Sequence, residues 1–420
     1  MLSAERLIAS LVRRTWLTDG PLGPIIPTYI NYLRGQRYAE GTLRAYLKSL
    51  AHFGFWARAE GLGLADIDES LINRFIQVHL RSCNCPPPRA RYIYNARTSL
   101  RKLVFVLRQE GFCRSESKSS TPVSRELMQF RQYLSETCGY AETTIIYRLK
   151  HISDFLDGHF DSDPVDISHI TPADIEKCMA DYAKRWRPAS LRVIRSNLRS
   201  YLRFRAMQGD QTQSLMAALP KLADWSQAAL PKALNESELD RFEHAFDLSS
   251  PVGRRDYAIA RCLIDLGLRG QEVAHLVLES FDWRNGTLTV PNSKGRRMLR
   301  LPLPWQTGKA IANYLQKGRP TTSSRALFVV HEAPVGKPLS TNGIRATMSY
   351  AFKRSGLDKQ FCNTHVLRHT LALRLQRSGA SLKEIADLLG HQSYETTTKY
   401  ARVDLEGLRA VTLPWPVRQS

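Results

Sequence analysis

The sequence has no hydrophobic run long enough to cross a membrane, and its cysteines are few. No stretch approaches the roughly 18 uninterrupted apolar residues of a spanning helix, and the charged residues Glu5 and Arg6 interrupt the region where a signal peptide would need an apolar core. Seven cysteines, an odd number, do not indicate a disulfide framework. We therefore expect a protein of the reducing cytoplasm with no membrane partner.

Acidic residues are also scarce relative to basic ones. The chain has 60 Lys and Arg residues against 39 Asp and Glu residues, which gives a net charge of +21 in 420 residues. Such a surplus favours phosphate backbones, because binding releases their condensed counterions. Nucleic acid is the first partner that this composition predicts, and a basic membrane-surface protein is the rival interpretation.

One cysteine-containing stretch, "HLRSCNCPPP", brings potential metal ligands together in the sequence. His79, Cys83 and Cys85 lie within seven residues, and Cys113 could complete a set of four zinc ligands. The C-x-C spacing lacks the two-to-four-residue gap that is usual between paired zinc ligands. We therefore expect no metal here, and we expect most cysteines to be small core residues.

The N-terminal half contains an internal repeat. "YAEGTLRAYLKSLAHF" from Tyr38 and "YAETTIIYRLKHISDF" from Tyr140 match at a constant offset of 102 residues. Each copy has helical periodicity in its apolar residues, which predicts a unit of four or five helices. The Ser-rich stretch "SESKSSTP" at 115–122 separates the copies, so we expect one helical domain at 1–114 and a second at 122–218.

Basic rows run beside the apolar stripe of the last helix in each copy. A single row of this kind is best explained as a solvated charged face. Two matching rows in a basic chain make contact with DNA phosphates as good an explanation as a solvated face. With two residues of an earlier helix, the candidate DNA-binding residues are Arg44, Lys48, Arg97, Arg101, Arg192, Arg195 and Arg199.

The third part of the chain, residues 233–411, changes to a mixed pattern. Asn285-Gly286 lies between short alternating segments and predicts a β-hairpin. Capping boxes at Asn235/Glu238 and Ser381/Glu384 predict helix starts on either side of it. We expect a mainly α protein with a small antiparallel sheet: two helical domains followed by an α+β domain.

The segment "NTHVLRHTLALRL" places His365, Arg368 and His369 within five positions. Taken alone, it is a basic helix start whose leucines face a core. Elsewhere in this part the sequence supplies the residue types that a metal-free attack on a phosphodiester requires: phosphate-gripping arginines, proton donors and a side-chain nucleophile. Spacing alone does not show that these candidates converge: Arg269, Lys294, His365, Arg368, His391 and Tyr400.

Four segments resemble, in order, the signature segments of the tyrosine recombinase or phage integrase family. They are "LGLRGQEVAHL", "SKGRRMLRLPL", "THVLRHTLALRL" and "LGHQSYETTTKYARV". The resemblance covers about residues 233–411 and, more loosely, the helical part before them, which resembles a core-binding domain. It implies two helical, SAM-like DNA-binding domains followed by an α+β tyrosine recombinase catalytic domain. The interval of nine residues from His391 to Tyr400 also fits the family pattern.

The resemblance implies a role for each candidate. Tyr400 would attack the phosphorus and form a covalent 3′-phosphotyrosine, while Arg269 and Arg368 would clamp the phosphate oxygens. Lys294 would protonate the 5′-oxygen that leaves, His365 would act as acid and base toward Tyr400, and His391 would hydrogen-bond the phosphate. Glu272 matches an acidic position that orients the Arg269 region.

The resemblance also implies partners and a setting. The phosphotyrosine conserves bond energy, so neither ATP, metal nor any other cofactor is expected. Exchange between two duplexes of DNA implies a tetramer on synapsed sites, with other recombinases of the same element as possible partners. The duplicated N-terminal unit departs from the usual single core-binding domain and suggests a recombinase of a mobile element, bound to DNA at the bacterial nucleoid.

Three alternatives remain at this level: a type IB topoisomerase, a catalytically silent DNA-binding partner of other recombinases, and a structural nucleic-acid binder. Gly270-Gln271 replaces the commoner pair after the first arginine, a change unlike the family pattern that should leave the cation itself intact. The tail that ends with residues 412–420 is expected to dock on the next protomer, with Leu408, Leu413 and Trp415 as anchors.

Overall fold

The computed structural model describes residues 15–86, 93–112, 121–160, 164–223, 231–290, 298–390 and 397. The first helical repeat contains short 3₁₀ turns at Gly23–Ile25 and Leu64–Asp66 and a π-helical turn at Phe75–His79. Its described α-helices are α1 (Thr15–Thr18), α2 (Ile26–Gly35), α3 (Glu40–Ala59), α4 (Glu69–Arg74), α5 (Leu80–Ser82) and α6 (Ile93–Gln109).

In the second helical repeat the main α-helices follow the same order. It has a π-helical turn at Tyr133–Thr137 and a 3₁₀ turn at Ile167–His169. Its described α-helices are α7 (Pro122–Gln132), α8 (Glu142–Leu156), α9 (Pro172–Arg185), α10 (Pro188–Met207) and α11 (Gln213–Ala217). In both repeats a helix pair precedes a 3₁₀ turn and two further helical segments, so the predicted duplication of a helical unit is confirmed.

The duplication extends to local geometry. Ala39 caps α3 with φ −64° and ψ 147°, and Ala141 caps α8 with φ −65° and ψ 144°. The aromatic residues at the shared position, Phe53 and Phe155, are both buried. Equivalent sequence positions therefore start and anchor equivalent helices, as expected when the same apolar spacing faces a helical core.

A polar network lies inside the second repeat. The hydroxyl of Tyr201 donates to the carboxylate of Glu126 at 2.7 Å, and Arg205 donates to the same carboxylate at 3.0 Å. Arg205 also donates to Asp210 at 2.6 Å. Burial, followed by the nearby negative charge of Glu126, raises the pKa of Tyr201 well above its usual range. The network satisfies a buried carboxylate that would otherwise destabilise this core.

The third part of the chain combines helices with a small sheet. Its described helices are α12 (Glu236–Glu243), α13 (Pro251–Asp265), α14 (Gly270–Ala274), α15 (Trp305–Lys317), α16 (Thr341–Arg354), α17 (His365–Arg377) and α18 (Leu382–Leu389). A 3₁₀ turn, Leu278–Ser280, leads into the sheet. In the described part of the chain the sheet has the antiparallel order β1 (Phe281–Asp282), β2 (Thr287–Val290) and β3 (Leu299–Pro302).

The turn and the helix starts that the sequence predicts in this part are present in the structure. Gly286 takes φ +59° in the turn between β1 and β2, where Phe281 pairs with Leu288. Both capping boxes form: Asn235 accepts from the backbone of Glu238 before α12, and Ser381 does the same for α18. The hairpin and both helix starts are thus confirmed.

Contacts divide the chain into two compact units. One comprises Met1–Gly63, Ile72–Val106 and Ala229–Ser420, and the other comprises Leu64–Leu71 and Leu107–Ala228. The boundaries at 1–114, 122–218 and 233–411 stay a prediction. Over the part of the chain that the structure describes, no helix is both long and apolar enough to span a bilayer.

Candidate active site

Arg269 lies at the N-terminus of α14, where two hydrogen bonds to the carboxylate of Glu272 hold it in place. The backbone N–H of Arg269 donates to one oxygen of Glu272 at 2.7 Å, and its guanidinium donates to the other at 2.7 Å. Glu272 is 7% exposed, whereas the side chain of Arg269 is 35% exposed. A buried carboxylate thus orients a cation that still reaches solvent, which is the geometry that binding an external anion requires.

Arg368 lies on α17 and is 4% exposed. Its guanidinium donates to the carbonyl of Gly267 at 2.5 Å and also to the carbonyl of Leu389. Gly267 precedes Arg269 by two residues, and Leu389 ends α18. Because a guanidinium carries five N–H donors in a fixed fork, Arg368 can join these two segments and also contact a phosphate.

His365 is the first residue of α17 and is exposed. The side chain of Asn363 accepts from the backbone N–H of His365 at 3.0 Å and from that of Val366 at 3.3 Å, which satisfies the helix start. A Cβ built on Gly270 would lie 3.6 Å from the hydroxyl of Thr364. The beginnings of α14 and α17 are therefore neighbours, and the structure brings the segments of Arg269, His365 and Arg368 together.

The other three predicted active-site residues, Lys294, His391 and Tyr400, lie outside the described residues. The structure does describe Gly390, which takes the left-handed conformation with φ +61° and ends α18 one residue before His391. Glycine in this conformation is a common helix stop. His369, on the next position of α17 after Arg368, is half-buried.

Gly267 is held in a conformation that other residues seldom adopt. Its φ is +60°, and a Cβ added there would lie 2.5 Å from a methyl group of Leu389 and 2.9 Å from one of Leu371. Only glycine fits this turn without strain. The close packing lets α13 turn into α14 while Arg368 reaches the Gly267 carbonyl.

We expect Gly267→Ala to lower the free energy of unfolding by about 2–4 kcal/mol, because it adds left-handed strain to overpacking. Gly356→Ala is the matched control: its φ is +70°, but nothing lies within 4 Å of the added methyl group. Urea unfolding of both variants measures the difference. Equal losses in the two variants would contradict tight packing around Gly267.

A buried ion-pair network behind the turn was not predicted from the sequence. Arg261 on α13 is 5% exposed and pairs with Glu243 at 2.9 Å and with Asp265 at 2.8 Å. The hydroxyl of Thr307 donates to Asp265 at 2.5 Å. Burial raises the pKa of Glu243. The Arg261–Asp265 spacing of four residues was the available signal, but Glu243 and Thr307 come from other helices.

The predicted DNA-binding residues differ between the two repeats. Those of the first repeat, on α3 and α6, are exposed: Arg44, Lys48, Arg97 and Arg101. Those of the second repeat, on α10, are half-buried: Arg192, Arg195 and Arg199. Burial, followed by the positive charge of Arg199, lowers the pKa of Arg195. The second row is therefore a desolvated basic cluster and not simply a solvated face.

Arg148 on α8 adds to this cluster and was missed in the sequence. It shares a surface cleft of about 520 Å³ with Arg192 and Asn197. Within the described residues, Nε and Nη1 of Arg148 and Nε of Arg195 are buried and have no hydrogen-bond partner. Buried donors of this kind favour an external acceptor, and an anion best satisfies several of them at once.

The described geometry is that of a helical chain in which two arginines and a histidine, the candidates for a phosphate site, lie at or near two adjoining helix starts. Comparison with known proteins is consistent with this. The model of the phage integrase family matches residues 232–406. The model of the SAM-like N-terminal domain of phage integrases matches twice, at 26–111 and 127–209.

Relatives give the same result. A Sinorhizobium fredii protein named as an integrase/recombinase, y4rA, is 31% identical over 95% of this chain and 95% of its own. The tyrosine recombinase XerC of Oceanobacillus iheyensis is 32% identical over 51% of this chain and 70% of its own. A lambda integrase tetramer bound to a Holliday junction shares the fold, with a TM-score of 0.53 and 20% identity over 74% of this chain and 86% of its own.

The chain belongs to the phage integrase family and is a tyrosine recombinase, an enzyme that breaks and rejoins DNA strands.

Proposed function

We propose that the six predicted residues form one active site for recombination through a 3′-phosphotyrosine. Arg269 and Arg368 grip the non-bridging oxygens of the scissile phosphate, and Tyr400 attacks the phosphorus. Lys294 gives a proton to the 5′-oxygen that leaves. His365 takes the proton of the Tyr400 hydroxyl, and His391 donates a hydrogen bond to the phosphate.

The observation that carries this proposal is the pair of backbone contacts of Arg368. One guanidinium bonds the carbonyl of Gly267, just before Arg269, and the carbonyl of Leu389, two residues before His391. Donors fixed before the reaction stabilise developing charge without reorganisation. In the proposed site, Arg368 both contacts the phosphate and fixes the spacing between the segments that carry the other groups.

The charge balance of the proposed step requires no metal. Two guanidinium groups compensate the phosphate charge, which increases as the fifth oxygen ligand approaches phosphorus. The oxygen of Tyr400 forms a bond to phosphorus, the bond to the 5′-oxygen breaks, and a proton moves to that oxygen. The free 5′-hydroxyl of a partner strand then reverses the attack and releases Tyr400.

We further propose that the basic cluster of α8 and α10, in the second repeat, binds the phosphate backbone of DNA. The buried donors of Arg148 and Arg195 support this, as does the cleft that Arg148 shares with Arg192. Like charges held close together destabilise a free protein, and DNA phosphates would relieve that cost. We also propose that the exposed row of the first repeat contacts DNA phosphates.

Arg148→Gln should therefore weaken DNA binding while leaving the free protein as stable as before or slightly more stable. We expect the slope of log K against log salt to fall by about one. Arg131→Gln is the control, because Arg131 is exposed and already paired with Glu142 at 2.5 Å. Fluorescence anisotropy across a salt series measures both variants, and an equal change in slope would contradict a special role for Arg148.

The proposed biological setting is the integration or excision of a mobile element. The similarity to a protein named integrase/recombinase over nearly the whole length supports this setting. Recombination of two duplexes requires four cleavages, which favours a tetramer on synapsed double-stranded DNA. Such a substrate would place the protein at the nucleoid in the bacterial cytoplasm, with other recombinases of the element as candidate partners.

The test is a trapping experiment. The full-length protein is mixed, without magnesium, with duplexes from its own genomic flanks that carry a nick beside the cleavage site, so that religation is blocked. A denaturant-resistant protein–DNA adduct is expected, and sequencing the trapped DNA identifies the site. Salt-sensitive binding without an adduct would overturn the proposal in favour of a silent partner of another recombinase.

A further inference from the structure

Four potential metal ligands converge in the first helical repeat. His52 lies on α3, His79 ends the π-helical turn, and Cys83 and Cys85 follow α5. One ligand atom from each residue lies within 4.8 Å of the other three. His52 is completely buried, and the other three residues are half-buried. Cys113, the fourth ligand considered from the sequence, lies outside the described residues.

We propose that His52, His79, Cys83 and Cys85 bind one zinc ion. Metal–nitrogen bonds of about 2.0–2.1 Å and metal–sulfur bonds of about 2.3 Å at tetrahedral angles put two nitrogens ~3.4 Å apart and a nitrogen and a sulfur ~3.6 Å apart. The two Nε2 atoms are 3.4 Å apart, and the nitrogen–sulfur pairs His52–Cys83 and His79–Cys85 are 3.7 and 3.4 Å apart.

Hydrogen bonding among the four groups accounts less well for these distances. Nε2 of His52 lies close to both His79 and Cys83, and Nε2 of His79 lies close to both His52 and Cys85. A ring nitrogen offers one lone pair or one N–H, in a single direction. Two partners at each nitrogen fit a shared central ion better, and two imidazoles with two thiolates select zinc among the common divalent metals.

Backbone geometry explains how C-x-C spacing supplies two ligands. The N–H of Cys83 donates to the carbonyl of His79 at 2.9 Å, so the two residues lie one helical turn apart on the same side. Cys83 itself is extended, with φ −69° and ψ 140°. In an extended chain, residues two apart point to the same side, so Cys85 follows Cys83 toward the same point.

The second repeat shows that this site is particular to the first. At the offset of 102 residues, the position of His52 is occupied by Asp154. The helix α9 of the second repeat is continuous from Pro172 to Arg185, whereas in the first repeat a π-helical turn separates α4 from α5. Such turns often mark functional sites, and this one ends on His79.

The proposed zinc would join α3 to the segment that leads toward the basic helix α6. An aromatic shell surrounds it: Phe75 lies 5.2 Å from the ring of His79, and Trp56 lies 5.6 Å from it, centroid to centroid. A closed four-ligand set within such a shell is typical of structural zinc, which stabilises a fold and takes no part in chemistry.

The test measures metal in the full-length protein purified without chelator or affinity nickel. One zinc per chain is expected by elemental analysis, with a loss of more than about tenfold in Cys83→Ser and in Cys85→Ser at equal free zinc. Cys138→Ser, a half-buried cysteine of the second repeat, is the control and should keep the metal.

Cobalt(II) substitution of the wild-type protein provides a readout that does not depend on variants. Tetrahedral cobalt with two thiolates should give strong visible bands and a thiolate charge-transfer band that loses about half its intensity in either single serine variant. Wild-type protein that retains no zinc and gives no thiolate band would overturn the proposal, as would equal zinc loss in Cys138→Ser or a Cys83–Cys85 disulfide in the purified protein.

Discussion

Arg368→Lys should lose both activity and stability, although it keeps the positive charge. A lysine ammonium is a point charge without the planar fork of arginine, so it cannot bond the carbonyls of Gly267 and Leu389 and a phosphate together. We expect the single-turnover rate of DNA cleavage to fall by about 10²–10³-fold, as for the loss of a preorganised donor.

The stability loss has a separate cause. The two carbonyls that Arg368 bonds become poorly satisfied in a site where the residue is 4% exposed. Each lost bond to a charged group costs about 1.5–3 kcal/mol, so the loss of two should lower the free energy of unfolding in urea by roughly 3–6 kcal/mol. The rate must therefore be normalised to the folded fraction.

Arg374→Lys is the matched control on the same helix. The side chain of Arg374 is 44% exposed and pairs with Glu236 at 3.4 Å, a surface contact. Its replacement should change cleavage by less than about twofold and stability by less than about 0.5 kcal/mol. If Arg368→Lys behaved like Arg374→Lys, Arg368 would be neither the phosphate ligand nor the link between the two segments.

Tyr400→Phe should remove the covalent adduct completely while retaining DNA binding. The change deletes one hydroxyl and nothing else, so no atom remains to form the bond to phosphorus. Binding depends on many basic contacts along the duplex, and we expect the affinity to stay within about twofold of the wild-type value. Denaturing electrophoresis of the nicked duplex and anisotropy on an intact one measure the two properties.

Tyr350→Phe controls for tyrosine replacement as such, because Tyr350 is 64% exposed and belongs to the same part of the chain. It should form the adduct at the wild-type rate. An adduct that persists in Tyr400→Phe would assign the nucleophile to another residue, and mapping the DNA-linked peptide would identify it.

Much of the fold follows from short-range patterns. The capping boxes at Asn235 and Ser381, the Gly286 hairpin and the repeat of 102 residues each depend on residues within a few positions or on a matching copy. Interactions between residues three or four positions apart can be predicted directly from the sequence. The order of the helices and the family of the enzyme could therefore be predicted.

The site could be predicted only in part. Residue types and order pointed to Arg269, His365 and Arg368, and the structure brings their segments together. The sequence did not show that Arg368 is buried against the carbonyl of Gly267, 101 positions away. Nor did it reveal Arg148, since a helix-surface arginine is usually solvated, whereas the fold buries two of its donors.

The cysteine-containing stretch shows the same division. By itself the sequence determined that His79, Cys83 and Cys85 lie within seven residues of one another, and its C-x-C spacing led us to expect no metal. The fourth group, His52, lies 27 residues before His79 and joins them only because α3 packs against the π-helical turn. Tertiary packing therefore decided that His52 joins the other three groups, because burial of apolar surface brings distant segments together irrespective of their separation along the chain.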